Sequence, residues 1–135
     1  MEIDQFYFYC WGDIPSEPQD DFLGLIMDKS KPRIISTAGA KTGKSRACAT
    51  AVVYLAIFFP NTNIILVSAQ HNWIYHHVCT IFDTHPEFQE FVITRGTEKP
   101  IPKYGFALTN GSMCHLCSST EPSIKGAKAD FVFMD

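Results

Sequence analysis

The chain has 135 residues, of which 46% are apolar and 19% charged, with a formal charge of −3. That length suits one domain with a real core, and the composition excludes a disordered or low-complexity chain. The slight negative charge gives no global basic field of the kind that marks many nucleic-acid binders, although a motor can place a few basic residues locally.

The N-terminal stretch "MEIDQFYFYC" carries acid where a secretory signal would carry base, so no such signal is read here. Five cysteines, Cys10, Cys48, Cys79, Cys114 and Cys117, are an odd number that argues against a disulfide framework. A cytosolic setting is expected. Residues 1–20 mix aromatics with turn formers and are read as an irregular lead-in. "DDFLGLIMD" then reads as a short amphipathic helix, and "PRIISTA" as a buried strand after a proline.

A loop follows, then a helix from about Gly43 to Phe59, stopped by Pro60 and Asn61. The longest apolar run, Ala47 to Phe59, is 13 residues, too short to span a bilayer and better read as a buried helix. The uninterrupted Ile-Ile-Leu-Val of "NIILVSA" predicts a strand buried on both faces, as in a parallel sheet.

In "QHNWIYHHVCTIF", Ile74, Val78, Ile81 and Phe82 fall at helical spacing. "THPE" reads as a capping box, Thr84 answered by Glu87, opening a short helix through Phe91. "YGFALTNGSMCHLCS" predicts a hairpin turning at Asn110-Gly111, and "ADFVFMD" a last apolar strand ending in an acid. Strand, helix, strand, helix, strand predicts an α/β fold with a mostly parallel sheet.

The loop "TAGAKTGKSRA", Thr37 to Ala47, is the most informative stretch. The phosphate-binding pattern is G-x-x-x-x-G-K-[ST]. Ala38 stands at its first position with Gly39 just after, and Gly43, Lys44 and Ser45 fill its end. Glycines let the backbone turn its N–H groups inward around an anion, and the helix N-terminus adds free N–H donors. Residues Gly39, Ala40, Lys41, Thr42, Gly43, Lys44 and Ser45 are the candidate cradle for ATP. Lys44 would reach the β- and γ-phosphates, and Ser45 would offer its hydroxyl to Mg²⁺. Asp135, after four apolar residues, looks like a Walker B acid that would hold the same metal.

With these motifs in order, the chain resembles the N-terminal ATPase part of phage large terminases. The matching stretches are "RIISTAGAKTGKSRA", "NIILVSAQ", "LTNGSMCHLCSSTEPSIKGAKADFVFMD" and, more weakly, "PQDDFLGLI". The resemblance implies a P-loop NTPase of the RecA-like, ASCE type, a three-layer sandwich that is incomplete over residues 1–135. It implies Mg²⁺-dependent ATP hydrolysis driving double-stranded DNA into a capsid in the host cytoplasm. It also implies a homo-oligomeric ring acting with a portal protein and a small terminase subunit, and no membrane.

Residue by residue, Gln19 looks like the adenine-reading glutamine, or else a solvated helix-start residue. Ala40 stands where a basic residue is expected, with Lys41 next. Lys125 of "SIKG" falls where an arginine finger is expected, or is a solvated loop lysine. The family expects a glutamate after the Walker B aspartate, which this sequence does not supply after Asp135. The expectation is therefore a truncated product that binds nucleotide without turning it over. A further expected strand, lying between the Walker A and Walker B strands, is also missing, so the sheet is expected to carry a central gap and to aggregate. A helicase-like P-loop ATPase and an inert nucleotide-binding remnant are the alternatives.

Other chemistry is weakly signalled. "CHLC" holds one C-x-x-C, and on a strand Cys114 and Cys117 point to opposite faces, against shared zinc or a disulfide. His71, His76 and His77 do not share a helical face. Phe6, Tyr7, Phe8, Tyr9 and Trp11 could stack on bases, but packing on the domain is the better reading.

Overall fold

The computed structural model describes residues 1–28, 34–36, 44–68, 73–93, 105–118 and 130–134. Its elements in chain order are α1 (Ile3–Trp11), α2 (Glu17–Met27), β1 (Ile34–Ser36), α3 (Lys44–Phe58), β2 (Asn63–Ser68) and α4 (Trp73–Thr84). A short 3₁₀ helix (Pro86–Phe91), β3 (Gly105–Ala107), β4 (Met113–Ser118) and β5 (Phe131–Met134) complete the set.

The four apolar residues of β2 decide where the sheet lies. Ile64, Ile65, Leu66 and Val67 are all buried, and β2 is flanked by parallel partners on both sides, β4 and β5. The strand order is β1-β5-β2-β4-β3, parallel throughout except for the β3–β4 hairpin. Ile64 and Leu66 share a core with Phe133, Cys114 and Phe106 and with residues of α1, α3 and α4. The predicted α/β architecture with a mostly parallel sheet is therefore present.

α3 is the hub of the helical layer, in contact with α1, α2 and α4. From Ala47 to Val53 every residue is fully buried. A helix that is apolar all round has no solvent face, and its alanines let three neighbours approach closely.

Three expectations are corrected. The first concerns residues 1–20, where α1 replaces the irregular lead-in. Ile3, Phe6, Tyr7 and Cys10 fall at i, i+3, i+4 and i+7 and are buried together. Glu2 and Gln5 form a capping box at its start, and Gly12 ends it in the left-handed region at φ 75°.

The second concerns the central gap. Among the described residues β1 pairs directly with β5, Ile34 with Val132, Ile35 with Phe133 and Ser36 with Met134. An open strand edge leaves backbone N–H and C=O groups without partners, and β5 supplies them to β1. The aggregation expected from a split sheet loses its premise.

Thr84 is the third. It lies in the last turn of α4, where its hydroxyl donates to the carbonyls of Thr80 (2.9 Å) and Ile81 (3.3 Å). The 3₁₀ helix starts behind His85, with no side-chain cap. Thr84 back-bonds to its own helix rather than opening the next.

The hairpin expected to turn at Asn110-Gly111 is present as the antiparallel β3–β4 pair. Its loop holds three residues, closed by Leu108 N–H donating to Ser112 O at 2.8 Å, with Gly111 at φ 91°. That is the geometry of a type I turn followed by a left-handed glycine.

Candidate functional site

The candidate site lies at the carboxyl ends of β1 and β5. The parallel ladder matches Ser36 with Met134, so the next residues in sequence, Thr37 and Asp135, follow from paired positions. β5 is pinned at its other end. Asn63 N–H donates to Asp130 Oδ2, and Asp130 N–H to Asn63 O, each at 2.8 Å. In open parallel sheets, ligands bind outside the carboxyl ends of the strands. Gly39, Ala40, Lys41, Thr42, Gly43 and Asp135, with Lys125, lie outside the described residues.

α3 begins at Lys44. The first backbone N–H groups of a helix have no partner within it, which suits an anion there. Ser45, half-buried, stands in this first turn beside Arg46. Of the candidate phosphate and metal residues, Lys44 and Ser45 are thus in the first turn of a helix.

The first turn is braced by a cluster that sequence reasoning did not identify. The Arg46 guanidinium lies 4.4 Å from the centre of the Trp11 ring. It also pairs with Asp13 at 3.6 Å. Trp11 Nε1–H donates to Thr50 Oγ1 at 2.8 Å, and the Thr50 hydroxyl donates to Arg46 O at 2.9 Å. The C-terminal end of α1 is thus tied to the first turns of α3. The signal was available in the one-turn spacing of Arg46 and Thr50, which places both on one helix face. Of the N-terminal aromatics, Phe6 and Tyr7 are core residues and Trp11 packs on Arg46, whereas Phe8 and Tyr9 are exposed.

Gln19 is 8% exposed, which replaces the solvated alternative with a buried one. Its Oε1 accepts from Ser16 N–H at 2.9 Å and from the Tyr7 hydroxyl at 3.2 Å. Ser16 in turn accepts from Gln19 N–H at 3.4 Å, completing the capping box of α2. Both lone pairs of the amide oxygen are engaged.

The motif "NGS" has a structural role. Asn110 Nδ2 donates to Ala56 O at 2.8 Å and Ile57 O at 3.2 Å, capping the end of α3. Ser112 Oγ–H donates to Phe59 O at 2.9 Å. These bonds satisfy carbonyls that a helix C-terminus leaves without partners. The hairpin fixes the far end of α3 while Trp11 and Asp13 fix the near one.

The thiols are poorly suited to metal or nucleophilic work. Burial pushes Cys10 up to about 12 and Cys79 up to about 11. Cys114 is pushed up as well, first by burial and then by the neighbouring thiols. None of the five cysteines is in a disulfide. Among the described residues no group of three or more His, Cys, Asp or Glu side chains could hold a metal ion. Nor is any described helix long and apolar enough to cross a membrane.

No protein-family model matches the chain, and no curated protein matches it. Among solved structures it is similar to the large terminase ATPase domain of Thermus phage P74-26, with a TM-score of 0.65 and 17% sequence identity. The likeness covers 100% of this chain and 58% of that one. At that identity the likeness shows the fold alone: a mixed α/β arrangement with a mostly parallel sheet, similar to that of the ATPase domain.

Proposed function

We propose that the chain is the ATP-binding part of a DNA-packaging motor of the large-terminase kind. The observation that carries this is the direct pairing of β1 with β5. β1 ends at Ser36 and β5 at Met134, and these two paired residues are the ones from which the sequence runs on into the candidate loop and into Asp135. A polar strand-to-helix turn needs no acid-ended strand beside it, whereas a magnesium–nucleotide site does.

In this reading, residues Gly39–Gly43 wrap the phosphates with backbone N–H groups, and Lys44 neutralises their charge. Ser45 and Asp135 would hold Mg²⁺, which when bound would supply positive charge to offset that of the phosphates. Arg46, engaged by Trp11 and Asp13, holds the helix turn that carries Lys44 and Ser45. Gln19 contacts adenine, its Oε1 exchanging the Tyr7 hydroxyl or the Ser16 amide for the base's amino group. Hydrolysis in the whole motor would drive double-stranded DNA through a ring of such subunits, docked with a portal protein and a small subunit. The fold likeness, which spans this chain and 58% of a terminase ATPase domain, supports this assignment.

The test is magnesium-dependent nucleotide affinity in the Asp135→Asn variant. Mg²⁺ should tighten binding of an ATP analogue to the parent chain and have little effect on the variant. Equal tightening in both would remove Asp135 from the site.

A further inference from the structure

We infer that the groove between α1 and the first turn of α2 is a docking surface for a basic polypeptide segment carrying bulky apolar anchors. Charge is the first ground. Residues 1–28 hold seven of the chain's 14 carboxylates and none of its 11 lysines and arginines. The whole chain is −3, so the acidity is concentrated in α1, α2 and the turn joining them.

Shape is the second ground. A groove of about 450 Å³ lies there, with Phe8, Ile14 and Pro15 as its apolar lining and Asp4, Glu17 and Asp20 as its rim. Ile14 is 81% exposed and Phe8 53% exposed. Asp4 and Phe8 are one turn apart on α1, and Glu17 and Asp20 lie together in the first turn of α2.

The acids have a partial local explanation, since carboxylates in a first helical turn favour the helix dipole. That does not account for the two large apolar side chains held in water between them. An exposed apolar patch with a charged rim marks an interaction site. Arg46, whose guanidinium is engaged by Asp13 and Trp11, leaves the three rim acids uncompensated by any described Lys or Arg of this chain. A field of this sign repels nucleic acid and anionic lipid, and it attracts lysine and arginine. Apolar anchors in the groove supply contact area, and the acidic rim supplies register and salt-dependent attraction.

The experiment uses the 135-residue chain and fluorescence anisotropy. One labelled 14-residue probe carries lysines on one helical face and leucines on the other. A second replaces the leucines with serine, and a third replaces the lysines with glutamate. A short DNA duplex is the fourth. The lysine–leucine probe should bind, with affinity falling as salt rises, and the other three should bind at least tenfold more weakly.

Ile14→Ser, at a position open to solvent, should lower affinity for that probe at least fivefold. The triple variant Asp4→Asn, Glu17→Gln, Asp20→Asn should lower it at least tenfold. Circular dichroism melts confirm that each variant is folded, and Ile14→Ser serves alone if the triple variant is not. Equal binding of the serine probe, undiminished binding to Ile14→Ser, or tighter binding of the duplex would each overturn the proposal. So would a sedimentation shift from monomer to dimer in the parent chain that Ile14→Ser abolishes, because the groove would then be filled by a second copy.

Discussion

Ser36 and Met134 are partners across the parallel β1–β5 ladder. In sequence the phosphate-loop candidate begins after Ser36, and Asp135 follows Met134. Thr37 and Asp135, 98 positions apart (135 − 37) in the sequence, are thereby the successors of paired backbone positions. The helix that follows the loop is fixed at both ends, by Trp11 and Asp13 on its first turn and by Asn110 on its last.

The Asn110 cap yields a stability prediction. Its side-chain amide serves two carbonyls of α3, and its Oδ1 accepts from Ser112 N–H at 3.0 Å. Asn110→Ala removes all three bonds and is expected to destabilise the fold by about 1–3 kcal/mol in urea unfolding. A change below about 0.5 kcal/mol would mean that water replaces the amide without loss.

Much of this fold was legible in the sequence, and the failures have physical causes. Strong one-period signals succeeded. Ile64–Val67 form the strand buried on both faces, and of the Ala47–Phe59 run Ala47–Ala56 are buried in a helix while Phe58 and Phe59 are exposed. α1 is hard to read because aromatics also fill its exposed face, at Phe8 and Tyr9, which blurs the helical spacing of Ile3, Phe6, Tyr7 and Cys10. β1–β5 pairing was missed because strand order depends on which backbone edges need partners, and no residue pattern records that. Gln19 was visible as a helix-start residue, but its burial depends on the Tyr7 hydroxyl, which belongs to the unread helix. "NGS" was seen as a hairpin signal, while its capping of α3 is a long-range contact.

Gly111 gives a second stability test. It sits at φ 91°, and an added Cβ would lie 2.1 Å from Asn61 Oδ1. The Asn61 side chain can swing aside, but an L-residue cannot relax the positive φ. Gly111→Ala should therefore destabilise by roughly 1 kcal/mol or more, by the same amount in the parent and in an Asn61→Gly background, the background itself being measured because Asn61 is also at positive φ (58°). Full rescue in the double variant would assign the effect to the contact alone.

The Tyr9–Glu87 pair predicts a pH response. The Tyr9 hydroxyl donates to Glu87 Oε1 and, as the leading cause, holds the Glu87 carboxyl below its ordinary value. A carboxylate depressed in the folded state adds stability above its unfolded pKa and loses it as pH falls through the lower folded value. NMR titration should show Glu87 moving up towards the ordinary value in Tyr9→Phe. Stability near neutral pH should fall more than stability at acid pH. An unchanged Glu87 titration would assign the depression to His85 or to its backbone contact, the minor causes here.

Thiol labelling tests the buried core. With Cys10 and Cys79 raised to about 12 and about 11, their thiolate fractions at pH 7.5 are very small. In the native chain, iodoacetamide should modify Cys10, Cys79 and Cys114 far more slowly than a free cysteine, and denaturant should expose all three. Rapid native labelling of Cys114, which is 1% exposed, would contradict the packing of β4 against the core.

The account rests on an anion cradle opening at Lys44, and the most direct measurement is equilibrium binding of a fluorescent ATP analogue with Mg²⁺. The parent chain should bind it, and Lys44→Ala should weaken binding at least tenfold, about 1.4 kcal/mol, with the thermal melt unchanged. Equal affinity in the parent and in Lys44→Ala would contradict the nucleotide-site reading.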